Sequence, residues 1–257
     1  MSDNVMRPLF FLHNPKAGGS SVSHLFRAEY AAESIAPVIE NSPQQYRNVA
    51  GHYSQFKGYR FYSGHYGYNV FKAVGDGHDL ITNFRNPVSR IFSMYWYWRN
   101  SVSEEFFRSL PEEDAAFVNE ARTRSFSEFI RSDNPNLRLY IDNAHYRQIL
   151  DTWYINDAAG VFGFVKVLRR IARMKWFFIS ELPALSHLTL RQAFPRLHLA
   201  KVPLVNETRD KQSEDYLSDE DIIFLTKRNR RDFAIYIFAV ALMVWRICQD
   251  SVSERFK

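Results

Sequence analysis

Residues 8–33 read PLFFLHNPKAGGSSVSHLFRAEYAAE, and this stretch decides the fold class. The apolar run Leu9–His13 predicts a β-strand, and the small and polar residues after it are typical of a tight turn. Apolar residues then recur at helical spacing from Val22 to Tyr30. A strand, a turn and a helix in this order form half of a βαβ unit.

The same pattern recurs along the chain. Asp79–Phe84 is an apolar run of strand length, and Asn86-Pro87 supplies an N-cap and a first-turn proline for the next helix. Tyr59–Ser63 and Trp176–Ser180 are further strand candidates. Strands that alternate with helices predict an α/β fold with a central, mostly parallel sheet flanked by helices.

Helix starts are also marked in the second half of the chain. Ser125 and Glu128 have the spacing of a capping box, and Pro183 begins another helix. Ser218 predicts the start of one C-terminal helix over residues 219–248. The stretch 201–212, KVPLVNETRDKQ, predicts a loop.

Length and composition favour one globular domain over residues 1–257. Aromatic residues make up 16% of the chain, while Gly and Pro number only 10 each, which excludes a collagen-like or low-complexity chain. The net charge of +5 favours an anionic ligand, although an ordinary basic protein has the same charge.

Two features bear on the cellular compartment. A single cysteine, Cys248, cannot form an internal disulfide, and the N-terminus lacks the order of a secretory signal. Phe233–Trp245 is uncharged for 13 residues. As a helix it would be roughly 20 Å long, short of the roughly 30 Å hydrocarbon core of a bilayer. We expect a cytoplasmic protein with a buried C-terminal helix and no stable membrane insertion.

The turn after the first strand has the chemistry of a phosphate cradle. The pair Gly18-Gly19 lets the backbone turn sharply and leaves N–H groups open where a helix begins. Lys16 adds a full charge, and Ser20 and Ser21 add hydroxyl donors.

A kinase or ATPase is the first alternative. Its P-loop has the order GxxxxGK[ST], in which the lysine follows the last glycine. Here Lys16 precedes both glycines, so the order differs from that of a P-loop.

Residues 10–21, FFLHNPKAGGSS, resemble the 5'-phosphosulfate loop, F-H-x-P-K-T-G-G-T-S, of sulfotransferases that use 3'-phosphoadenosine-5'-phosphosulfate (PAPS). The group that contains heparan sulfate and dermatan 2-O-sulfotransferases and their bacterial relatives is the most similar. Ala17 replaces the usual Thr, which removes a hydroxyl but no charge or backbone donor. The resemblance implies a P-loop-NTPase-like sulfotransferase fold in which residues 13–21, Pro15 and Ala17 among them, bind the phosphosulfate.

PAPS carries a second phosphate, which needs its own cationic site. Arg85 follows a predicted strand at its carboxyl end, where ligands bind in open α/β sheets, and Arg clamps phosphate with two hydrogen bonds. The segment 85–93 also resembles the family's 3'-phosphate signature, R-D-P-x-x-R-x-x-S, with Asn86 for Asp. The resemblance assigns Arg85 and Ser93 to this phosphate, whereas Arg90 fits a structural role equally well.

Sulfuryl transfer needs a base for the acceptor proton and a cation for the leaving group. Lys16 is the expected cation, and His65 is the expected base because the family has a catalytic histidine in a G-H segment at this place. Relatives with the sequence H-G-H have two histidines, and Ser63 replaces the first one here. His52 and His145 are the alternative bases.

The resemblance implies further parts of the reaction. Arg147, in the segment DNAHYRQIL, matches a family arginine and is a candidate cofactor-binding residue. The product is 3',5'-diphosphoadenosine (PAP), and the motifs imply no metal. The acceptor is a hydroxyl of a glycan or small metabolite, and we expect it to contact residues 101–136, where the similarity is lowest.

Two other interpretations stay open at this stage. A non-catalytic basic protein that binds glycans or nucleotides explains the charge, but not two ordered phosphate motifs; the same argument disfavours a nucleic-acid partner. A PAPS-binding protein that has lost its chemistry through the change at Ser63 fits the sequence as well. The oligomeric state is not predicted.

Overall fold

The computed structural model describes residues 6–37, 56–75, 77–151, 160–197 and 217–255, except the side chains of 113, 114 and 250–255. The strands are β1 (Leu9–Leu12), β2 (Phe61–Gly64), β3 (Asp79–Phe84) and β4 (Trp176–Ile179). The helices are α1 (Gly19–Arg27), α2 (Tyr68–Val74), α3 (Pro87–Asn100), α4 (Glu104–Ser109), α5 (Glu112–Thr123), α6 (Phe126–Ile130), α7 (Pro135–Ile141), α8 (Ala144–Leu150), α9 (Gly160–Arg173), α10 (Pro183–Ala193), α11 (Asp219–Arg228) and α12 (Arg230–Arg255).

The four strands form one parallel sheet in the order β2-β1-β3-β4. Leu9 pairs with Phe61 on one side and with Asp79 on the other, so β1 lies inside the sheet. Helices flank the sheet, which confirms the predicted α/β single-domain fold. Because the strands are parallel, the segments that leave their carboxyl ends meet at one edge.

The strand predictions hold to within two residues. β3 has the predicted bounds, while β1 and β4 each end one residue early, at Leu12 and Ile179. β2 begins at Phe61 rather than Tyr59. The first helix ends at Arg27, because Phe26 and Arg27 accept hydrogen bonds from residues three positions later, which tightens the last turn.

The predicted helix caps are present. The Asn86 side chain accepts hydrogen bonds from the N–H groups of Val88 (3.0 Å) and Ser89 (3.3 Å). Ser125 and Glu128 form the reciprocal capping box. Each cap satisfies N–H groups that have no partner within the helix.

The single C-terminal helix predicted over residues 219–248 is instead two helices, divided at Asn229. The side chain of Asn229 accepts a hydrogen bond from the Asn143 N–H at 2.8 Å. The Asn143 side chain in turn donates to the Arg228 carbonyl at 2.8 Å and accepts from the Arg231 N–H at 3.0 Å. These distant partners satisfy the backbone groups that an unbroken helix would have paired internally.

Helices cover both faces of the sheet, and a third apolar cluster lies beside it. On one face, α1 and α10 pack on Leu9, Phe11 and Trp176. On the other face, α2, α8, α9 and α12 pack on Phe10 and Leu12. The third cluster contains residues of helices α3, α5, α6, α7 and α11, and α4 packs against it.

The last helix is less buried than its sequence predicts. Ile235, Ala239 and Met243 of α12 are buried against the sheet. The stretch Arg230–Gln249 is long and apolar enough to cross a membrane, with a mean hydropathy of 1.5, and only 22% of its window is buried. α12 therefore packs through one face and leaves the other open.

Candidate functional site

The carboxyl edge of the sheet brings three of the predicted site residues together. Lys16 lies in the turn after β1, His65 follows β2, and Arg85 follows β3. Nη1 of Arg85 donates a hydrogen bond to the Lys16 carbonyl at 3.0 Å. The rings of His65 and His13 meet edge to face, with centroids 4.6 Å apart.

The turn between β1 and α1 depends on its two glycines. Gly18 has a φ of 77°, in the left-handed region that favours glycine. A Cβ atom on Gly19 would lie 2.0 Å from the His13 ring, so only glycine fits against that ring. The α1 N-terminus has no side-chain cap and no acidic residue in its first turn. Its N–H groups are therefore oriented for an anion.

Asn83 fixes this turn from the end of β3, a role that the sequence analysis missed. The Asn83 side chain accepts from the Asn14 N–H at 2.7 Å and donates to the carbonyls of Asn14 (2.9 Å) and Ala17 (2.8 Å). It is fully buried. An amide inside the apolar strand DLITNF was the available signal, since buried polar side chains have hydrogen-bond partners.

Lys16 is half-buried beside a second cation. Its Nζ lies 4.0 Å from the centroid of the Tyr97 ring, a cation–π contact. Burial and the charge of Arg85 lower the pKa of Lys16 to about 8. Lys16 is therefore mostly protonated at pH 7 and gains stabilisation from any anion that binds the turn.

Tyr97 also indicates the position of Ser93. The two residues lie four positions apart on α3 and so share a face of that helix. Because Lys16 contacts Tyr97, this face of α3 points towards the turn. Tyr95, by contrast, is buried in the third apolar cluster, and Trp96 and Trp98 pack against it, as their sequence predicts.

His65 is exposed at the edge of the sheet. Partial loss of hydration and the charge of Lys16 lower the pKa of His65 below its usual value. Contact with solvent weakens this shift, but both effects favour the neutral ring. A neutral imidazole can accept a proton at pH 7.

His13 and Gln148 contact the segments that form this edge of the sheet. Burial, followed by the charges of His65 and Lys16, holds the pKa of His13 well below its usual value, so its ring is neutral. Nε2 of Gln148 donates to the carbonyls of His13 (3.0 Å) and Tyr66 (2.7 Å). Gln148 thereby joins the turn after β1 to the segment that carries His65, a role that the sequence analysis also missed.

Ser63 has a structural contact of its own. Its hydroxyl donates to the Ser23 hydroxyl at 2.8 Å, which ties β2 to α1. Ser63, which stands where some members of the resembled family have a histidine, therefore joins a strand to the helix after the Gly18-Gly19 turn.

Arg147 and His145 have buried contacts of their own. The Arg147 guanidinium donates to the carbonyls of Asp142 (3.2 Å) and Leu139 (2.5 Å) and is buried, so its role as a ligand stays a prediction. His145 is buried against the Phe84 ring, which disfavours it as a replacement for His65. His52 and the predicted loop 201–212 lie outside the described residues.

Arg90 has the structural role that the sequence left open. It is 1% exposed, donates to the Tyr140 carbonyl at 3.1 Å and lies 3.9 Å from a carboxylate oxygen of Asp232. Asp232 also accepts a hydrogen bond from the Tyr146 N–H at 2.7 Å. This buried pair connects α3 to the start of α8 and α12.

No family model matches the chain, and it has no match among curated proteins. The likeness to sulfotransferases therefore rests on the motif residues quoted above and on the chemistry of the site that they form.

Proposed function

We propose that this protein is a sulfotransferase that uses PAPS as donor, transfers a sulfuryl group to a hydroxyl of a carbohydrate-like or small acceptor, and releases PAP. One observation carries the proposal. Lys16, Arg85 and His65 meet at one edge of the sheet, beside a helix N-terminus that has no side-chain cap. This set offers cations for two phosphates and a neutral base for a hydroxyl.

The residues around the turn fit the phosphosulfate of the donor. Gly18 and Gly19 let the turn pack against Phe178 and His13, where a Cβ atom would clash, and Ser20 is exposed at the start of α1. The buried Ser180 hydroxyl has no hydrogen-bond partner in the described part of the chain and lies 3.3 Å from the position of a Cβ on Gly18. This hydroxyl is a spare donor beside the turn. Arg85 would hold the 3'-phosphate.

The protein's own groups supply the acid–base and electrostatic parts of the transfer. His65 takes the acceptor proton as the acceptor oxygen bonds to sulfur and the bond from sulfur to the departing PAP breaks. Lys16 stabilises the negative charge that grows on the leaving oxygen. Tyr97 limits the positions open to Lys16, because its ring contacts the ammonium group.

Release of PAP from PAPS tests this proposal. PAP would be quantified with a panel of hydroxyl acceptors, and ATP would replace PAPS in a parallel reaction. We expect PAP release to increase with an acceptor and to be lost in His65→Ala, while His24→Ala, an exposed histidine of α1, retains activity. Lys16→Ala should weaken PAP binding and reduce turnover by a larger factor, because the negative charge on the leaving oxygen is greatest in the transition state. Hydrolysis of ATP without turnover of PAPS would instead support a kinase-like enzyme.

A further inference from the structure

α9 presents the most exposed large apolar side chains of the described residues. Phe162 is 91% exposed and Val161 is 77% exposed, and Val165 follows one turn later at 38%. The opposite side of α9 is buried in the core through Val167 and Ile171. The exposed side chains are therefore on the outer surface of a helix that is fixed to the sheet.

A row of cations continues from Phe162 along the same side of α9. Lys166, Arg169 and Arg173 follow it at intervals of four, three and four residues, so they lie on one stripe of the helix. All three are exposed, and none has an acidic partner among the described residues. The row borders a groove of about 750 Å³ between α2 and α9.

α12 adds a second apolar stripe next to α9. Ile237 is 62% exposed and Val244 is 45% exposed, and their helical spacing from Ile235, Ala239 and Met243 puts them on the side of α12 opposite the core. The Arg246 side chain fixes the two helices to each other, since it donates to the Ala172 carbonyl at 3.0 Å and to the Met174 carbonyl at 2.9 Å. Trp245 is 55% exposed but lines a groove with Gln192 and Ala193 of α10, so it is not part of this surface.

We propose that this surface docks the protein on a bilayer that contains anionic lipid. The basic-apolar surface consists of Val161, Phe162, Val165, Lys166, Arg169, Arg173, Ile237 and Val244. Its apolar side chains enter the interface between headgroups and acyl chains, and its cations bind the anionic headgroups. The proposal concerns attachment of the protein to a membrane surface and does not depend on the proposed sulfuryl transfer.

Charge and exposure favour a bilayer over two other partners. A soluble polyanion would neutralise the cations but leave Phe162 and Val161 in water. A second copy of the chain would place cations against cations, because neither α9 nor residues 233–249 contain an acidic residue. A bilayer with anionic lipid satisfies both the apolar and the cationic parts of the surface.

The same geometry requires α12 to lie along the membrane rather than cross it. Ile235, Ala239 and Met243 belong to the core, so insertion of the whole helix would expose the sheet face beneath them. At its start, Asp232 accepts hydrogen bonds from the N–H groups of His145 and Tyr146. Docking of the outer surface leaves these contacts in place.

Vesicle co-sedimentation tests the proposal with the full chain. Vesicles of phosphatidylcholine alone would be compared with vesicles that also contain phosphatidylserine. We expect at least about tenfold tighter binding to the anionic vesicles, with about fivefold lost for each cation removed. Phe162→Ser and Arg169→Glu should both weaken this binding. The matched controls on α11, Ile223→Ser and Lys227→Glu, should not, since these residues are exposed away from the surface.

The other partners give distinct results that would overturn the proposal. Equal binding to both vesicle types would remove the role of anionic lipid. If Phe162→Ser leaves vesicle binding unchanged while Arg169→Glu abolishes binding to inorganic polyphosphate, the surface is a site for soluble polyanions. A dimer in analytical ultracentrifugation that Phe162→Ser dissociates would assign the surface to a second copy. Titration with PAP in every variant keeps these outcomes separate from the donor site.

Discussion

Asn83 controls the shape of the phosphate turn through three hydrogen bonds. Two of them are donated by its amide group to the carbonyls of Asn14 and Ala17. Asn83→Asp replaces that donor with a carboxylate oxygen that would face the same carbonyls. We expect a loss of PAP affinity of at least tenfold, since a buried acceptor without its donor costs about 1–3 kcal/mol. Isothermal titration measures it, with circular dichroism to confirm the fold.

The matched control for this substitution is Asn100→Asp, at the exposed end of α3. It makes the same chemical change on the surface, so its PAP affinity should equal that of the wild type. A folded Asn83→Asp protein with unchanged affinity would show that the turn does not depend on Asn83.

The pKa of Lys16 predicts a pH dependence of PAP binding. A pKa of about 8 means that Lys16 is charged at pH 7 and loses its proton as the pH rises through 8. PAP binds the charged form more tightly, so its affinity should be highest below pH 7 and fall between pH 8 and pH 9. A bound anion raises the pKa of Lys16, so the fall in affinity begins near the pKa of the free protein and continues up to the higher pKa of the complex. Lys16→Arg should remove the dependence over this range, because Arg stays protonated. An unchanged wild-type affinity up to pH 9.5 would contradict the assignment.

At the scale of elements, one buried ion pair connects three helices. Arg90 of α3 and Asp232 of α12 are 1% and 3% exposed, and Asp232 also binds the N–H groups at the start of α8. Asp232→Ala would leave the Arg90 charge buried without a partner. We expect the free energy of unfolding to fall by about 3–5 kcal/mol in urea titration.

The surface residue Asp219 provides the control for Asp232. It is exposed in the first turn of α11, so Asp219→Ala should cost no more than about 1 kcal/mol, the size of a helix-dipole contribution. Similar losses in the two variants would show that the buried pair has no special role in joining these helices.

Local signals account for the elements that the sequence predicts well. Residues 86 and 87 determine where α3 begins, and a capping box determines the start of α6. The break at Asn229 could not be predicted in this way, because its partner Asn143 lies 86 residues away. The role of Asn83 could not be predicted for the same reason, because its partners belong to a turn 66 and 69 residues earlier in the chain.

At the scale of the whole molecule, the described residues form three apolar clusters. Trp176 lies in the cluster under α1 and α10, while Trp98 packs on the cluster beside the sheet. Since α3 belongs to the third cluster and follows the turn after β3 directly, this cluster cannot separate from the sheet without opening the site. We expect variants that retain only Trp176 or only Trp98 each to give the same urea midpoint by fluorescence as by far-UV circular dichroism. Two separate midpoints would indicate two independently stable units.

The candidate site was partly predictable at this scale. Because parallel strands share a carboxyl edge, the sequence indicated that the segments with Lys16, His65 and Arg85 would meet. It could not indicate the exposed surface of α9 and α12, since an apolar run in a sequence does not reveal which side packs. The expectation of a buried C-terminal helix was therefore too simple.

Calorimetric titration with PAP, with ADP and ATP as controls, tests the central claim most directly, because it needs no acceptor. The proposed donor site predicts tight PAP binding, weak ADP and ATP binding, and a large loss of PAP affinity in Arg85→Ala, since PAP differs from ADP in the position of its second phosphate. Absence of PAP binding by well-folded protein, or PAP binding that Arg85→Ala leaves unchanged, would contradict the account.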